Sequence, residues 1–591
     1  MACNLRSRWR WAACHYEAIL SSDVHKAGKG CTGKGVRIAI VDTAMELTHE
    51  DLQANVLPGQ SFNFTTLGND TAPAPNQAAV DHGTAVAGVA AGRGWNGLGS
   101  RGTAPFASLV AFPVTDVNPH DGLSPDTMDY LAFGASELAG QQPAVSMFSG
   151  RSNTVDVFNY SAGRDVGAPE SIEPPDSWES AMTFGVKNRR NGKGAVYLQA
   201  AGNEHEGSRA FTLPDGSTKA IFCQNALPNL GLPGSFKNLG ALSCGSPNQD
   251  YRGHETKYLI AALHNSGRAA SYSSAGSSVW VSGFGGEDGA DQAAILTTDN
   301  AGCASGHNNR ANAADWKAEY PEWTKILADL FGASTKDPNC NYTGRMNGTS
   351  AATPSVSGVV ALMLEANPSL TWRDVGYILA RTARKVDANI ADSSRQPRYL
   401  PNGNTVGWPL DLPWQTNAAG YNFQSHYGFG MVDARAAVNM AIGFTAPQGR
   451  RSTTLVAPMV GTSTTSTIDG FTAYIGVARF SDPRAVQGKL QVDLTLKNLS
   501  GAPLNVGGLQ FEVINRSSGT RSIVMPAFTA WFISGERENG KLVTGGTQDL
   551  RLFTNAFFGE SLAGDFEVRV VDVRGQAQGL TFTASLSAHS L

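Results

Sequence analysis

Three short segments of the chain carry residue types that together could turn a serine into a nucleophile. They supply Asp42, then His82, then Ser350, in this order along 591 residues. A serine hydroxyl is a poor nucleophile at neutral pH, so it needs a histidine to accept its proton and a buried carboxylate to orient that histidine. One such residue alone means little, and the prediction depends on the elements that present all three.

Each of these residues stands at the end or the start of a predicted element. The apolar run at 36–41 is typical of a strand buried on both faces of a parallel sheet, and Asp42 follows at its carboxyl end. His82 precedes a run of small residues that favours a helix packed close to that sheet. Ser350 opens a second predicted helix, with Pro354 in its first turn, so that the positive end of the helix faces the nucleophile.

A fourth segment could stabilise the charge that develops when a carbonyl is attacked. Residues 195–200 are predicted as another buried strand, which leads into Asn203. The Asn203 amide can donate a hydrogen bond to the oxyanion of a tetrahedral intermediate, and the Ser350 N–H would be the second donor. The four segments together predict hydrolysis through a serine nucleophile.

In this order, the four segments resemble those of the subtilisin-like serine proteases and, within that family, the kexin–furin branch. The resemblance extends from about residue 34 to residue 441, and it is clearest in Gly-Thr-Ser-Ala-Ala-Thr-Pro at 348–354. It implies an α/β fold, with a parallel sheet flanked by helices, and the activity of a serine endopeptidase. The residues that would take the catalytic roles are Asp42, His82, Asn203 and Ser350.

Two other functions are weighed against this one. A catalytically silent binding or adhesion protein could keep the same scaffold, and it is the rival from another class. An esterase of a different fold is disfavoured by the order of the three residues. It is also disfavoured because Ser350 lacks a Gly-x-Ser-x-Gly context.

The resemblance also implies a strand that binds substrate, at 157–163, which ends in Ser161, Ala162 and Gly163. A peptide would add to it as an extended strand, and the glycine would leave room for a substrate side chain. The partners implied are therefore protein or peptide substrates.

The preference for the residue before the scissile bond stays open, because the chain departs from the kexin–furin pattern. Thr43 replaces a second aspartate, Ala162 replaces a tryptophan, and Ser274 replaces an acid near the specificity pocket. Recognition of Lys or Arg by charge requires a carboxylate, and Asp165 is the remaining candidate. We expect cleavage after single or paired basic residues, with a broad-specificity subtilisin-like protease as the alternative.

A structural calcium site is implied by the same resemblance. It would combine Asp51 with the loop at 93–102. The ligands from the loop would be the side-chain oxygen of Asn96 and the carbonyl oxygens of Leu98 and Ser100. Oxygen donors on a flexible loop suit Ca²⁺ better than zinc, although a loop of this composition can also be a plain turn.

Seven cysteines point to an oxidising compartment rather than to a metal centre. None forms a Cys-x-x-Cys pair, so zinc is not expected. Cys303 and Cys340 bracket a loop that a disulfide would stabilise, and so do Cys223 and Cys244. Seven reduced thiols in a cytosolic enzyme are the alternative. The cysteines whose pairing stays open are Cys3, Cys14 and Cys31.

Composition and charge bear on partners and location. The net charge of −4 favours neither nucleic acid nor an anionic membrane. No apolar run approaches the roughly 18 residues of a transmembrane helix, and the first residues have no apolar core region of a signal peptide. We expect a secreted, periplasmic or extracellular protein whose signal has been removed. Asp42 lies too near the start for a pro-region, so we expect a mature form or a separate protein that assists folding or inhibits the enzyme.

Shifts in composition predict the domains. Residues 1–33 form an N-terminal segment and 34–445 the catalytic domain, whose final helix is predicted at 427–441. Residues 446–469, rich in Thr, Ser, Gly and Pro, are a linker or a first edge strand. Alternating patterns in 470–591 predict a C-terminal all-β jelly-roll or sandwich domain.

Residues 557–572 resemble the signature of the β-sandwich, or P domain, that follows the catalytic domain in kexin-type enzymes. The alternative is an unrelated sandwich for binding. Two insertions, at 142–154 and 288–342, could be lids over the site or decoration. The second contains three apolar residues at near-helical spacing, which predict a small helix: Trp316, Trp323 and Leu327.

Overall fold

Strands and helices alternate through the first three quarters of the chain, as an α/β fold requires. The strands are β1 (Arg37–Asp42), β2 (Ser108–Pro113), β3 (Val157–Tyr160), β4 (Val196–Ala200), β5 (Ser208–Thr212), β6 (Thr218–Phe222), β7 (Gly234–Lys237), β8 (Lys257–Leu263), β9 (Val279–Phe284), β10 (Ile295–Thr298), β11 (Tyr342–Met346), β12 (Arg398–Pro401), β13 (Trp408–Pro409), β14 (Gln415–Thr416) and β15 (Asn422–Phe423). The helices are α1 (His82–Ala91), α2 (Asp176–Gly192), α3 (Thr349–Ala366), α4 (Trp372–Thr382) and α5 (Ala434–Ile442), with 3-10 turns at Leu239–Ala241 and Ala388–Ala391.

The computed structural model describes most of the chain. The described residues are 31–65, 82–115, 132–133, 153–163, 176–206, 208–212, 218–222, 234–248, 253–287, 292–307, 337–391, 395–401, 405–445, 453–501, 504, 506–529, 537–538, 541–542, 546–575 and 579–590. The predicted helix around Trp316, Trp323 and Leu327 lies outside them. Of the insertion at 142–154, only residues 153 and 154 lie within them.

A six-stranded sheet forms the centre of this part, in the order β2-β1-β3-β4-β8-β9. Every neighbouring pair of strands in it is parallel. Its strands are almost wholly buried, because helices cover the faces of a parallel sheet. Strands β1, β3 and β4 are adjacent, so Asp42, Ser161 and Asn203 follow neighbouring strands at one edge. The predicted fold class is confirmed.

Helix α3 is buried along nearly its whole length, from Thr349 to Leu364. Its alanines, valines and serines let sheet strands and helices α1 and α5 pack close around it. Pro354 was expected in the first turn, but it lies inside the helix, in the second turn. It therefore removes one internal hydrogen bond, and the acceptor it leaves is part of the site described below.

The predicted final helix at 427–441 begins later than expected. Helix α5 starts at Ala434, after Asp433, whose side chain accepts from the Ala436 N–H at 2.9 Å. The residues before it have another conformation, because Gly428 and Gly430 take φ values of 59° and 135° where the chain crosses the backbone of other segments. The apolar pattern of these residues reflects burial rather than helical periodicity.

The remaining described residues are almost all strand. The strands are β16 (Thr453–Pro458), β17 (Thr464–Ile468), β18 (Phe471–Phe480), β19 (Val486–Asn498), β20 (Leu509–Asn515), β21 (Arg521–Met525), β22 (Arg537–Glu538), β23 (Lys541–Leu542), β24 (Thr547–Thr554), β25 (Gly564–Asp572) and β26 (Leu580–Ser590), with a 3-10 turn at Val506–Gly508. One antiparallel sheet has the order β16-β26-β19-β24, and the other has the order β17-β18-β25-β20-β21. Strands β16 and β17 stand at sheet edges, where the sequence left open a linker or a first edge strand.

The two parts of the molecule share an aromatic and polar interface. Phe558 of the sandwich inserts between rings of the first part, 4.9 Å from Tyr421 and 5.4 Å from both Trp280 and Phe429, measured between centroids. Asn248 Nδ2 donates to two backbone carbonyls of the sandwich, those of Val524 and Phe553, at 2.8 and 2.9 Å. Such contacts hold the two parts together as one core.

The cysteines agree with an oxidised protein. Cys303 and Cys340 form the predicted disulfide. Cys244 is also disulfide-bonded, and its expected partner Cys223 lies outside the described residues, as do Cys3 and Cys14. Cys31 is buried, and burial raises the pKa of its thiol to about 11.

Within the described ranges, none of the helices is both long enough and apolar enough to cross a bilayer.

Candidate active site

The carboxylate and the imidazole predicted for catalysis lie in contact at the carboxyl edge of the sheet. Asp42 ends strand β1 and is 1% exposed. His82 is the first residue of helix α1, and 30% of its side chain is exposed. His82 Nδ1 lies 2.6 Å from Asp42 Oδ1, and the Thr43 N–H donates to the same oxygen at 2.7 Å. Because Nδ1 contacts the buried carboxylate, Nε2 is the ring nitrogen that can accept a proton from a serine hydroxyl.

Thr43, which replaces a second aspartate, fixes the start of helix α1. The Gly83 N–H donates to Thr43 Oγ1 at 2.8 Å, which satisfies an amide of the first turn. A Cβ on Gly83 would lie 2.6 Å from the carbonyl oxygens of Thr43 and Ala44, so only glycine lets the helix begin this close to strand β1. Thr43 therefore holds the turn that presents His82.

Ser350 lies in the first turn of helix α3 and is 9% exposed. Its Oγ donates to the Ser161 carbonyl oxygen at 3.0 Å, and Ser161 Oγ donates to the Ser350 carbonyl oxygen at 3.0 Å. The Ser350 carbonyl can accept this bond because the residue four positions later is Pro354, which has no N–H. Ser161 thus donates the hydrogen bond that the helix itself cannot supply, and this bond fixes Ser350 to the end of strand β3.

Asn203 follows strand β4 and contacts the start of the same helix. Its Oδ1 accepts from the N–H and the hydroxyl of Thr349, both at 2.9 Å. A Cβ on Gly348, which has a φ of 98°, would lie 3.3 Å from Asn203 Nδ2 and 3.4 Å from the Ser350 nitrogen. The Asn203 amide nitrogen and the Ser350 backbone nitrogen therefore both lie close to Gly348 at the start of helix α3, and they are the two donors that an oxyanion hole here would use.

The predicted substrate-binding residues end strand β3. The Ala162 carbonyl accepts from Gln199 Nε2 at 3.2 Å, and Gln199 Oε1 accepts from the buried Lys257 Nζ at 2.8 Å. Gly163 is exposed, as an edge that pairs with a peptide has to be. The predicted specificity residue Asp165 lies outside the described residues.

Glu204, which is absent from the predicted site residues, supplies a carboxylate directly after Asn203. Glu204 Oε2 accepts from Ser274 Oγ at 2.8 Å, and the Glu204 N–H donates to the same hydroxyl at 3.0 Å. Ser274 stands where an acid is expected, so the end of strand β4 brings a carboxylate to that place. The signal in the sequence is its position next to the oxyanion residue.

The four residues predicted for calcium come together around a buried carboxylate. Asp51 is 0% exposed, and burial raises the pKa of its side chain. Asn96 Nδ2 donates to Asp51 Oδ1 at 2.6 Å, and the Ser100 N–H donates to Oδ2 at 3.1 Å. The Leu98 N–H donates to Asn96 Oδ1 at 3.2 Å.

This donor set fits calcium in its chemistry, but one group has to turn. Asn96 directs its NH₂ group at Asp51, so its amide has to rotate by half a turn before it offers an oxygen. Among the described residues, no three His, Cys, Asp or Glu side chains form a metal-binding cluster. Asp51 would therefore bind the ion together with amide and carbonyl oxygens, which Ca²⁺ accepts.

Comparisons with known proteins agree with this geometry. The extracellular serine protease of Aeromonas sobria is 31% identical over 554 residues, which are 92% of this chain and 78% of that protein. The crystal structure of the A. sobria serine protease with a chaperone covers 95% of this chain and 89% of its own, at a TM-score of 0.75 and 27% identity.

A third relative is the calcium-dependent protease of Trichormus variabilis. It is 28% identical over 398 residues, which are 64% of this chain and 46% of that protein. The family model described as Subtilase family matches residues 33–430. That match spans the central sheet and helices α1 and α3, and with them Asp42, His82 and Ser350; the chain belongs to the subtilase family.

Proposed function

We propose that this subtilase is a secreted serine endopeptidase that uses Asp42, His82, Ser350 and Asn203. One observation carries the proposal. The buried Asp42 carboxylate lies 2.6 Å from the His82 imidazole, at the sheet edge where Ser350 lies in the first turn of helix α3. Secretion is supported by the Cys303–Cys340 disulfide and by the extracellular relative of A. sobria.

Acylation begins when the Ser350 hydroxyl leaves the Ser161 carbonyl and gives its proton to His82 Nε2. Ser350 Oγ bonds to the carbonyl carbon of the substrate, and the carbonyl oxygen takes up the negative charge. Asn203 Nδ2 and the Ser350 N–H stabilise that charge. The His82 imidazolium, oriented by Asp42, then protonates the leaving amine as the C–N bond breaks. Water releases the acyl group by the same route.

The substrate is an extended peptide that pairs with residues 161–163. Gly163 is exposed after the end of strand β3, so its backbone is accessible to an extended peptide. Removal of the Asn203 donor would lower turnover by about 10²–10³-fold.

The residue before the scissile bond is basic in this proposal. The Glu204 carboxylate is half-buried, directly follows Asn203 and contacts Ser274, which stands where the resemblance places an acid near the specificity pocket. A carboxylate in such a place favours Lys or Arg by a charge-assisted hydrogen bond. Membership of the kexin–furin branch is part of the same proposal. The alternative is a broad-specificity protease, which would cleave a matched Leu peptide faster than an Arg peptide.

Calcium would stabilise the loop at 93–102 by binding to Asp51, to Asn96 once its amide has turned, and to the carbonyl oxygens of Leu98 and Ser100. The buried position of Asp51 supports this, because a cation offsets the free-energy cost of a desolvated carboxylate. The name of the calcium-dependent relative supports it as well.

Residues 34–445 act as the catalytic domain, residues 1–33 as an N-terminal segment, and residues 470–591 as a sandwich of the P-domain type that clamps it. The contacts of Phe558 support the clamp. A separate protein assists folding in this proposal, which the chaperone bound to the A. sobria protease supports.

A fluorophosphonate probe tests the catalytic proposal, because an activated serine oxygen displaces its leaving group and forms a bond to phosphorus. We expect labelling of the wild-type chain at Ser350, located by peptide mass mapping. The variants Ser350→Ala and His82→Ala should lose it while their melting temperatures stay within a few degrees of the wild type. A wild-type chain that folds but takes no label would be a silent binding protein on a protease scaffold.

A further inference from the structure

The segment next to the Cys303–Cys340 disulfide forms a closed set of hydrogen bonds with the first turn of helix α1. Thr84 Oγ1 donates to Asn300 Oδ1 at 2.7 Å and accepts from the Glu46 N–H at 3.0 Å. Glu46 Oε2 accepts from the Ala301 N–H at 2.7 Å. These bonds join three segments at a point two residues from His82. The segments are the one after strand β1, the start of helix α1 and the one after strand β10.

Strand β10 holds the same helix by two further bonds. Thr298 Oγ1 donates to the Thr84 carbonyl, and Thr297 Oγ1 donates to the Ala85 carbonyl, each at 2.7 Å. A Cβ on Gly88 would lie 2.3 and 2.4 Å from these two hydroxyl oxygens, so helix and strand are in direct contact. The first turn of helix α1 therefore has little room to move relative to strand β10.

Asp299 fixes the turn that presents Asn300. This buried carboxylate accepts from the Asn300 N–H at 2.9 Å and from the His307 N–H at 3.1 Å through its Oδ1. A Cβ on Gly306 would lie 2.1 Å from that oxygen, so the turn closes tightly around it. The Asn300 side chain is buried and is directed to Thr84 by this arrangement.

The same segment is connected to the nucleophile. Strand β10 pairs antiparallel with strand β11, and strand β11 leads directly into the turn before Ser350. The disulfide joins Cys303, after β10, to Cys340, before β11, and so closes the segment on itself. One covalently closed unit thus contacts the helix that carries His82 and continues into the helix that carries Ser350.

We propose that this closed unit, residues 295–307 with 340–346, positions His82 for proton transfer, and that Asn300 is its positioning residue. This assignment rests on the proposed function, because it concerns the same imidazole. His82 is at the very start of its helix, so any shift of that turn changes the distance over which the proton moves. A displacement of about 1 Å can cost on the order of 10²-fold in rate. The described ends of the insertion, 292–307 and 337–342, then serve to position a catalytic group.

Asn300→Ala tests the assignment against Asn55→Ala as a matched control. Asn55 is equally buried and holds the opposite end of the same helix, where its Nδ2 donates to the Ala91 carbonyl at 2.8 Å. We expect Asn300→Ala to lower kcat about tenfold with KM nearly unchanged. Asn55→Ala should lower the melting temperature by a comparable amount but leave kcat within about twofold. Equal kcat values in the two variants would overturn the assignment.

Asn300→Asp supplies the conservative rescue. It keeps an oxygen acceptor for Thr84, so kcat should return to near the wild-type value. The added negative charge should move the acid limb of the pH profile of kcat/KM to higher pH, because it favours the protonated imidazole. Thr84→Val, which removes the hydroxyl at constant size, should repeat the loss seen with Asn300→Ala, and it serves as the second variant if Asn300→Ala does not fold.

The disulfide is tested by the double variant Cys303→Ser/Cys340→Ser. It should lower kcat, and adding Asn300→Ala to it should cost less than in the wild type, because both changes loosen the same unit. Full additivity would contradict the proposal. Fluorophosphonate labelling of the wild type distinguishes a failure of the proposed function from a failure of the positioning role. An unlabelled wild type overturns the proposed function, whereas a labelled wild type with equal Asn300 and Asn55 variants overturns only the positioning role.

Discussion

At the scale of single residues, the site depends on hydrogen bonds that leave each catalytic group one role. Thr349 donates two hydrogen bonds to the oxygen of the Asn203 amide, so the NH₂ group of that amide is the one that the proposed mechanism uses as a donor. Ser161 Oγ donates to the Ser350 carbonyl, which Pro354 cannot bond because it has no N–H. This bond couples Ser350 to the proposed substrate-binding segment. These bonds stabilise the site before any substrate arrives, which is how such sites lower a barrier.

Glu204→Gln should change specificity without changing the chemistry. We expect kcat/KM for a peptide with Arg before the scissile bond to fall about 10- to 100-fold, because a hydrogen bond to a charged group contributes roughly 1.5–3 kcal/mol. Turnover of the matched Leu peptide should stay the same or rise. Glu206→Gln, which removes the same charge two residues away, is the control. Faster cleavage of the Leu peptide by the wild-type enzyme would instead indicate broad specificity.

Residue types and local context predicted Asp42, His82, Asn203 and Ser350, because each lies in a short segment whose element can be inferred from its neighbours. Glu204 and Asn300 were not predictable in this way. Their partners Ser274 and Thr84 are far away in the chain, and only the folded sheet edge brings them together.

At the scale of elements, the loop at 93–102 and helix α5 show which interactions decide a local conformation. The loop at 93–102 is held by a buried carboxylate, Asp51, whose two oxygens both accept N–H groups. The start of helix α5 is set by the Asp433 cap and by tertiary contacts of the glycines before it. The periodicity of apolar residues predicts strands and helices that keep the same face buried along their length. It cannot distinguish a buried irregular segment from a helix.

Removal of calcium should lower the melting temperature of the wild-type protein. Burial holds the pKa of Asp51 above its ordinary value. Without an ion, Asp51 therefore destabilises the fold at neutral pH, and this effect fades as the pH falls through its raised pKa. Calcium should relieve it.

Asp51→Asn tests this origin. It should abolish the difference in melting temperature between calcium and a chelator, and it should be neutral or stabilising when the chelator is present. Glu50→Gln, a neighbouring change of the same charge that keeps an acceptor for Tyr342, should retain the difference. Identical melting curves of the wild type in calcium and in chelator would show that the loop binds no ion.

At the scale of the whole molecule, buried side chains of the described residues join the sandwich to the first part of the chain. Phe558 packs among rings of the catalytic part, and Asn417 Nδ2 donates to the Ala556 and Phe558 carbonyls at 2.9 and 2.8 Å. Alternation along the strands predicts the sandwich, but it does not tell which face docks, because interface and core positions are equally apolar.

Phe558→Ala should uncouple the two parts. Loss of a buried phenylalanine costs about 3–5 kcal/mol. We expect one heat-absorption peak for the wild type and two for the variant, one for each part, with the lower one shifted down. Phe566→Ala, a change of the same size inside the sandwich, is the control. It should lower the melting temperature but should not split the heat-absorption peak into two. An unsplit and unshifted peak for Phe558→Ala would contradict the role of this contact.

Acid should destabilise the protein through two buried histidines. Burial lowers the pKa of both His205 and His426 to about 4, and their rings lie 5.4 Å apart. Their folded-state pKa values lie below the ordinary value, so the stability they support above about pH 6.5 is lost as the pH falls toward 4. Asp411, 3.6 Å from His426, acts in the opposite sense, because burial raises its pKa to about 6.

The two histidines and Asp411 together make the free energy of unfolding depend on about one proton. It should therefore fall by roughly 1.4 kcal/mol per pH unit between pH 6 and 4. Urea unfolding at several pH values measures it. His205→Gln should flatten the slope, and His264→Gln, a change at a partly exposed position, should not. A slope unaltered by His205→Gln would assign the acid sensitivity to other groups.

The order of strands in the first sandwich sheet has a consequence for how the chain is made. Strand β26 pairs with both β16 and β19, so it stands between two strands that are translated well before it. A ribosome-bound chain can complete its catalytic sheet but has to leave β16 and β19 with unpaired edges until β26 emerges. Deletion of strand β26 would therefore remove an inner strand and expose the edges of β16 and β19.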